Sequence, residues 1–372
     1  MNEPGRIPEA ESSPIGGHSV IHVVTPYGRH GPSSRVRVFE WLDRVGAPVV
    51  LSSYVSHRNS SPSYLARHPA AVLAAERRLR QMASDRPQRL LLHREASPLS
   101  RGNLERRLLT SSEFAVYDFD DALQWDWGAG GLFRRLAPKA PKALVAVQHA
   151  DRVIAGNPVL ADWASQHNGD VVVIPSCVAP DTYRPKTDFE TSDPPRLGWI
   201  GSPDNEAYLR LVAPALREVH RRAGARLTLI GTTRPTLGDL ESLIDRVPWS
   251  EVTQHVGLAE IDVGIAPLPD EPYTRGKCGY RLLQYGAAGL PFVASPIGVN
   301  RGILSQLGMP AAEDEGEWVD AVLDLLTRSA EARASMGQRA REVTRLDYSY
   351  DAWLSRWAEA VGMGNSSDPR QA

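Results

Sequence analysis

Hydrophobic positions along this chain fall in short unbroken runs separated by longer stretches with helical spacing. Residues 19–26 (SVIHVVTP), 49–55, 89–94 and 114–118 are apolar without alternation and too short for helices. That is the pattern of strands buried on both faces of a parallel sheet. Between them, residues 35–44, 64–82 and 103–109 carry the spacing of amphipathic helices. A helix over 159–167 and a strand over 171–174 close this first series. A polar, proline-containing stretch, 186–195, then interrupts the pattern and reads as a hinge. The alternation restarts with a strand at 196–201, a helix at 206–222 and a strand at 227–231, and it ends in helices at 317–326, 330–346 and 348–361. This predicts an α/β protein of two similar Rossmann-like halves. The expected boundaries are a disordered start (1–17), a first domain (18–185), the linker (186–195), a second domain (196–346), a last helix (347–362) and a disordered tail (363–372).

Candidate chemistry concentrates in residues 262–300. DVGIAPL predicts a buried strand, PDEPYTRGKCG a loop, the run from Tyr280 to Ala288 a helix, and PFVAS the next strand. The helix begins near Gly279, so its free N–H groups and positive dipole end face the loop, with Arg275, Lys277 and Arg281 close by. Such a helix start suits a phosphate. A second glycine loop follows the first strand, where Gly31, Ser33 and Ser34 precede a helix; it admits either a phosphate or a plain turn. Asp118, Asp120 and Asp121 stand at the carboxyl end of another predicted strand, the usual ligand edge of such a sheet. Trp125 and Trp127 follow, able to stack on a sugar or to pack in the core.

The run Leu283-Gln284-Tyr285-Gly286-Ala287-Ala288-Gly289-Leu290-Pro291 resembles the donor segment of family 4 glycosyltransferases. So does the sequence from Val171 to Pro185, where a strand reaches an Ile-Pro and then an Asp, an aromatic and a Pro. The resemblance implies the two-domain B fold (GT-B), with a last helix crossing back to the first domain. It also implies retaining transfer of a sugar from a nucleotide-sugar donor, most simply a UDP-sugar, to an acceptor hydroxyl on a glycan, lipid or natural product. In that family two glutamates of the segment contact the donor sugar and the ribose; their places are held here by Gly276 and Gln284. An Arg and a Lys that ordinarily neutralise the donor diphosphate after the first strand of the second domain are also missing, because Ser202 and Pro203 follow Gly201. Positive charge is therefore expected from Lys277 first, and from Arg275 or Arg281. With Gly279, Tyr280 and Gln284 these complete the expected donor site, and Trp249 is placed to wall the base. Lys277 and Asp120 are the candidate catalytic residues, with Asp118, Asp121 and Trp125 placing acceptor or sugar hydroxyls. Single-domain A-fold enzymes use such aspartates to hold a divalent metal; the B fold implies none, and the nucleotide-sugar is a substrate rather than a cofactor.

Composition narrows the alternatives. A net charge of −2 with 23% charged and 42% apolar residues offers no global attraction to nucleic acid. Two distant cysteines, Cys177 and Cys278, fit a reducing cytoplasm, and no run reads as a signal peptide or membrane span. A soluble cytoplasmic enzyme is the expectation. The rivals are a nucleotide-sugar epimerase or pseudo-glycosyltransferase on the same fold, and a nucleotide-sugar-binding protein without catalysis. An NAD-dependent dehydrogenase lacks its glycine fingerprint here.

Overall fold

The computed structural model describes residues 20–56, 61–126, 135 and 137–363. The expectations for residues 1–17, for the tail beyond 363 and for Trp127 lie outside the described residues. Two all-parallel sheets organise the chain. The first runs β2-β1-β3-β4-β5-β6, built from β1 (Ile21–Tyr27), β2 (Val49–Val55), β3 (Arg89–His93), β4 (Phe114–Phe119), β5 (Arg152–Ala155) and β6 (Val171–Val173). The second runs β11-β10-β7-β8-β9, from β7 (Arg196–Ile200), β8 (Arg226–Gly231), β9 (Ile244–Pro248), β10 (Val263–Ala266) and β11 (Phe292–Ala294). The architecture is α/β, two Rossmann-like domains.

The first strand shows how sequence sets register. Ile21, Val23 and Val24 are buried, and β1 pairs with β3 only as far as Val24–Leu92. Pro26, which has no N–H to give, lies past that ladder, where β1 keeps β2 as its partner. Each sheet has one place where strand order reverses: between β1 and β3 in the first, and between β7 and β10 in the second. Loops leaving the carboxyl ends of these strands diverge there and open a crevice.

Several predicted helices were altered by packing. The 64–82 helix breaks at His68, which leaves the helical conformation (φ −127°, ψ 52°) before Pro69, because a residue preceding proline is pushed out of the α region. The 206–222 helix is regular only over Ala213–Ala223, with 3-10 turns before it. Residues 35–44 are not amphipathic: Arg35–Phe39 form a wide π turn in which every residue is buried, leading into α1 (Glu40–Val45). The reason is the crossing of the chain's last helix. From α2 (Tyr280–Ala288) the chain passes through β11 to α3 (Ala330–Asp347) and α4 (Tyr350–Ala360), and α4 lies on the first domain. There Trp357 stacks on Trp41 at 5.5 Å, Tyr350 meets the Trp41 ring edge-on at 4.8 Å, and Tyr350 Oη donates to the Val36 carbonyl at 3.1 Å. Among the described residues no helix is long and apolar enough to cross a membrane.

Candidate active site

At the carboxyl end of β7, in the crevice of the second domain, Gly201 turns the chain tightly. A Cβ there would sit 2.5 Å from the Trp199 ring and 2.7 Å from Arg281 Nη2. Arg281, on the first turn of α2, donates through Nε to the Ile200 carbonyl at 2.6 Å and lies over the Trp199 ring at 4.5 Å. Among the described residues it has no carboxylate partner, and burial pulls its pKa below the ordinary value. A half-buried guanidinium with free donors at a strand end is built to meet an anion. Gly279, at φ 65°, turns the chain into α2 with its N–H groups directed at the same crevice; a Cβ there would meet Ile303 at 2.5 Å. Ser202 accepts from Asn205 at 3.2 Å in the adjoining loop.

The loop before α2 is pressed onto the first domain. Asn157 Nδ2 donates to the Gly276 carbonyl at 2.8 Å, and Cys278 Sγ donates to the Asp120 carbonyl at 3.1 Å. Burial and the nearby Asp120 push the Cys278 thiol up to about 12, so it is no nucleophile at neutral pH. Gly276 is enclosed: a Cβ would lie 2.5 Å from Ala122 Cβ and 3.0 Å from Leu160. No glutamate fits at this position with the domains so arranged. Ala122 fills that space, and its neighbour Asp121 is brought to Lys277, with Nζ 3.8 Å from Asp121 Oδ1. Arg94 completes the cluster, 2.8 Å from Asp121 and 3.6 Å from Asp120. Burial alone would raise the Asp121 carboxyl; the charges of Lys277 and Arg94 hold it below its usual range. Arg94 itself sits at φ 62°, a left-handed conformation costly for a residue with a side chain and held here by these bonds. Tyr208 lies within electrostatic reach of both Asp121 and Arg281.

The remaining expected residues fall into three groups. Asp118 is 1% exposed and tied to Arg37 at 2.5 Å and His93 at 2.8 Å. Burial would raise its carboxyl, but Arg37 and His93 keep it low, and both its oxygens are engaged by these two side chains. Arg275 is exposed and paired with Asp270 at 2.5 Å. Ser34 is buried with an unpartnered hydroxyl, while Ser33 is half-buried and Gly31 packs against Tyr27. Gln284 is buried, its Nε2 donating to Tyr183 Oη at 3.1 Å, and Tyr183 in turn bonds Tyr280. Trp249 directly follows β9; it is half-buried, with Arg35 5.9 Å from its ring. Trp125 is 56% exposed on a turn that lies against Pro272–Arg275 of the donor loop. Sequence reasoning missed Arg94 and Asn157. Arg94 directly follows a strand at the crevice, and that position was the available signal.

Two Rossmann-like domains facing across such a cleft, with the last helix returning to the first, are the B fold of glycosyltransferases. Residues 194–328 match the family model of the glycosyl transferases group 1. Among solved structures, a glycosyltransferase from Rickettsia africae ESF-5 superposes with a TM-score of 0.64 at 13% identity, over 93% of this chain and 98% of that one. Anabaena Alr3699/HepE in complex with UDP-glucose gives 0.61 at 12% identity, over 93% of this chain and all (100%) of its own. TarM gives 0.57 at 13% identity over 76% of this chain, and the chain spans 57% of TarM's length. Comparison with curated protein sequences finds no match. The fold is thus that of the B-fold glycosyltransferases, and the second domain matches the group 1 family model.

Proposed function

We propose that the protein transfers a sugar from a UDP-sugar to an acceptor hydroxyl with retention of configuration and without a metal. The observation that carries this is the unpaired Arg281 guanidinium at Gly201, beside the start of α2. The chemistry required is departure of a diphosphate from the anomeric carbon through an oxocarbenium-like state. Arg281 and the α2 N–H groups stabilise the charge growing on the leaving oxygen. Lys277 stands across the cleft between the donor loop and Asp121 and assists the same charge. Asp121 and Asp120, aligned by Arg94, orient sugar or acceptor hydroxyls, which replaces from the first domain a carboxylate that Gly276 cannot supply. Exposed Trp125 at the rim offers a face for a pyranose. Departing phosphate takes the acceptor proton on the same side, so no protein nucleophile is needed. HepE was solved with UDP-glucose, which makes UDP-glucose a sensible first donor.

Two measurements test this reading. UDP at a hundredfold excess over its dissociation constant should stabilise the protein by about 2.7 kcal/mol, while GDP and dTDP give smaller shifts; no shift with any nucleotide removes the donor site. Turnover in EDTA should equal turnover with Mn²⁺ added. The reason is that Asp120 and Asp121 face Arg94 and Lys277, and Asp118 faces Arg37 and His93, so each carboxylate is already matched to a cation. Activity abolished by chelation and restored by Mn²⁺ would revive an aspartate-held metal.

A further inference from the structure

Arg35 follows the first glycine loop, at the reversal point of the first sheet, and is 9% exposed. Arg37, Arg94, Arg246 and Arg333 have partners that account for them, whereas Arg35, like Arg281, lacks a carboxylate among the described residues. Arg37 pairs with Asp118, Arg94 with Asp120 and Asp121, and Arg246 with Glu206 and Glu241. Arg333 is held by the carbonyls of Phe189 and Leu326 and by Thr191. Arg35 has no carboxylate within ion-pair distance among the described residues. Its guanidinium makes one long hydrogen bond, 3.2 Å to Gln254 Oε1, out of five N–H donors. Glu40 is near enough to be felt but is bonded to Arg44 at 2.9 Å. The other titratable groups around Arg35 are the phenols of Tyr280, Tyr183 and Tyr350, which burial keeps protonated and neutral, and His255, whose pKa burial and Arg35 itself push below the ordinary value. The Oγ of neighbouring Ser34 is likewise buried and unpartnered.

This charge belongs to the first domain yet faces the second. It meets Gln254 and the Trp249 ring on one side and Tyr280, the first residue of α2, on the other. Desolvating a guanidinium without an anion is costly, and the cost is recovered only when an anion arrives. We propose that Arg35 is a phosphate-binding residue supplied by the first domain, so that the donor diphosphate is held between Arg35 on one side of the cleft and Arg281 on the other. The inference rests on the nucleotide-sugar reading. It adds that the first domain senses the donor's charge directly.

Calorimetric titration of UDP and ligand-observed NMR of uridine, on the full chain and its Arg35→Met and Arg35→Lys variants, test it. Arg35→Met should weaken UDP binding about tenfold or more and leave uridine binding within about twofold, with Arg35→Lys between. The melting temperature without ligand should hold or rise, since an unpaired buried charge is removed. Unchanged UDP affinity in Arg35→Met overturns the assignment. So does an equal loss for UDP and uridine together with a lower melting temperature, the mark of a purely structural tie to Gln254. Wild-type protein that fails to bind UDP instead overturns the donor reading itself, and the Arg35 assignment falls with it.

Discussion

Arg281→Met should lower kcat/KM for the donor by about a hundred- to a thousandfold, or roughly 2.7 to 4 kcal/mol, the scale for removing one preorganised donor to developing charge. Its Nε is tied to the Ile200 carbonyl at 2.6 Å and its plane rests on Trp199, so the terminal nitrogens cannot swing away from Gly201. That rigidity makes the group effective, because no reorganisation is required when charge develops. Stability should not suffer. Methionine fills similar volume on Trp199, and the half-buried guanidinium it replaces has no carboxylate partner among the described residues. The check is a steady-state donor titration beside thermal melting of the same samples. Turnover within about threefold of wild type, on a scale where 1.4 kcal/mol is tenfold, would take Arg281 out of the site.

Gly276→Glu restores the side chain that the family resemblance leads one to expect, and it should reduce activity. Its Cβ would enter the space of Ala122 Cβ and Leu160, and the longer carboxylate has no room at all. Overpacking of this kind costs about 1–3 kcal/mol in a rigid core. Here the domains can separate instead, which breaks the Asn157–Gly276 bond and draws Lys277 away from Asp121. We expect kcat to fall more than about tenfold, on the same overpacking scale, with UDP affinity falling less, because Arg281 and the start of α2 stay within one domain. Solution scattering should report a larger radius of gyration. A variant as active as wild type, or better, would mean that the donor loop does not work pressed onto the first domain.

The element pattern was legible because both sheets are parallel and buried, and such strands write themselves as continuous apolar runs between helical segments. β2, β3 and β4 begin where the hydrophobic runs begin. The helices were read less well. His68-Pro69 breaks one that periodicity alone joins, and the buried turn Arg35–Phe39 looked amphipathic because its two arginines suggested a wet face. Helical spacing reports that charged and apolar residues alternate; it does not report whether the charges meet water or, like Arg37, a buried carboxylate.

The candidate site divides along the same line. The sequence by itself determined the two α/β halves, the phosphate-suited start of α2, and the absence of both expected glutamates, since these depend on local spacing and residue type. Only the tertiary structure decided which charges are free. Arg275, Lys277 and Arg281 are near neighbours in sequence, yet Arg275 faces Asp270, Lys277 faces Asp121 from the other domain, and Arg281 faces no carboxylate among the described residues. Gly276 and Ala122 exclude each other across the cleft although they are far apart in the chain. Pairing energy falls off within a few ångströms and burial depends on every neighbour at once, so such outcomes are properties of the closed fold and cannot be read from spacing.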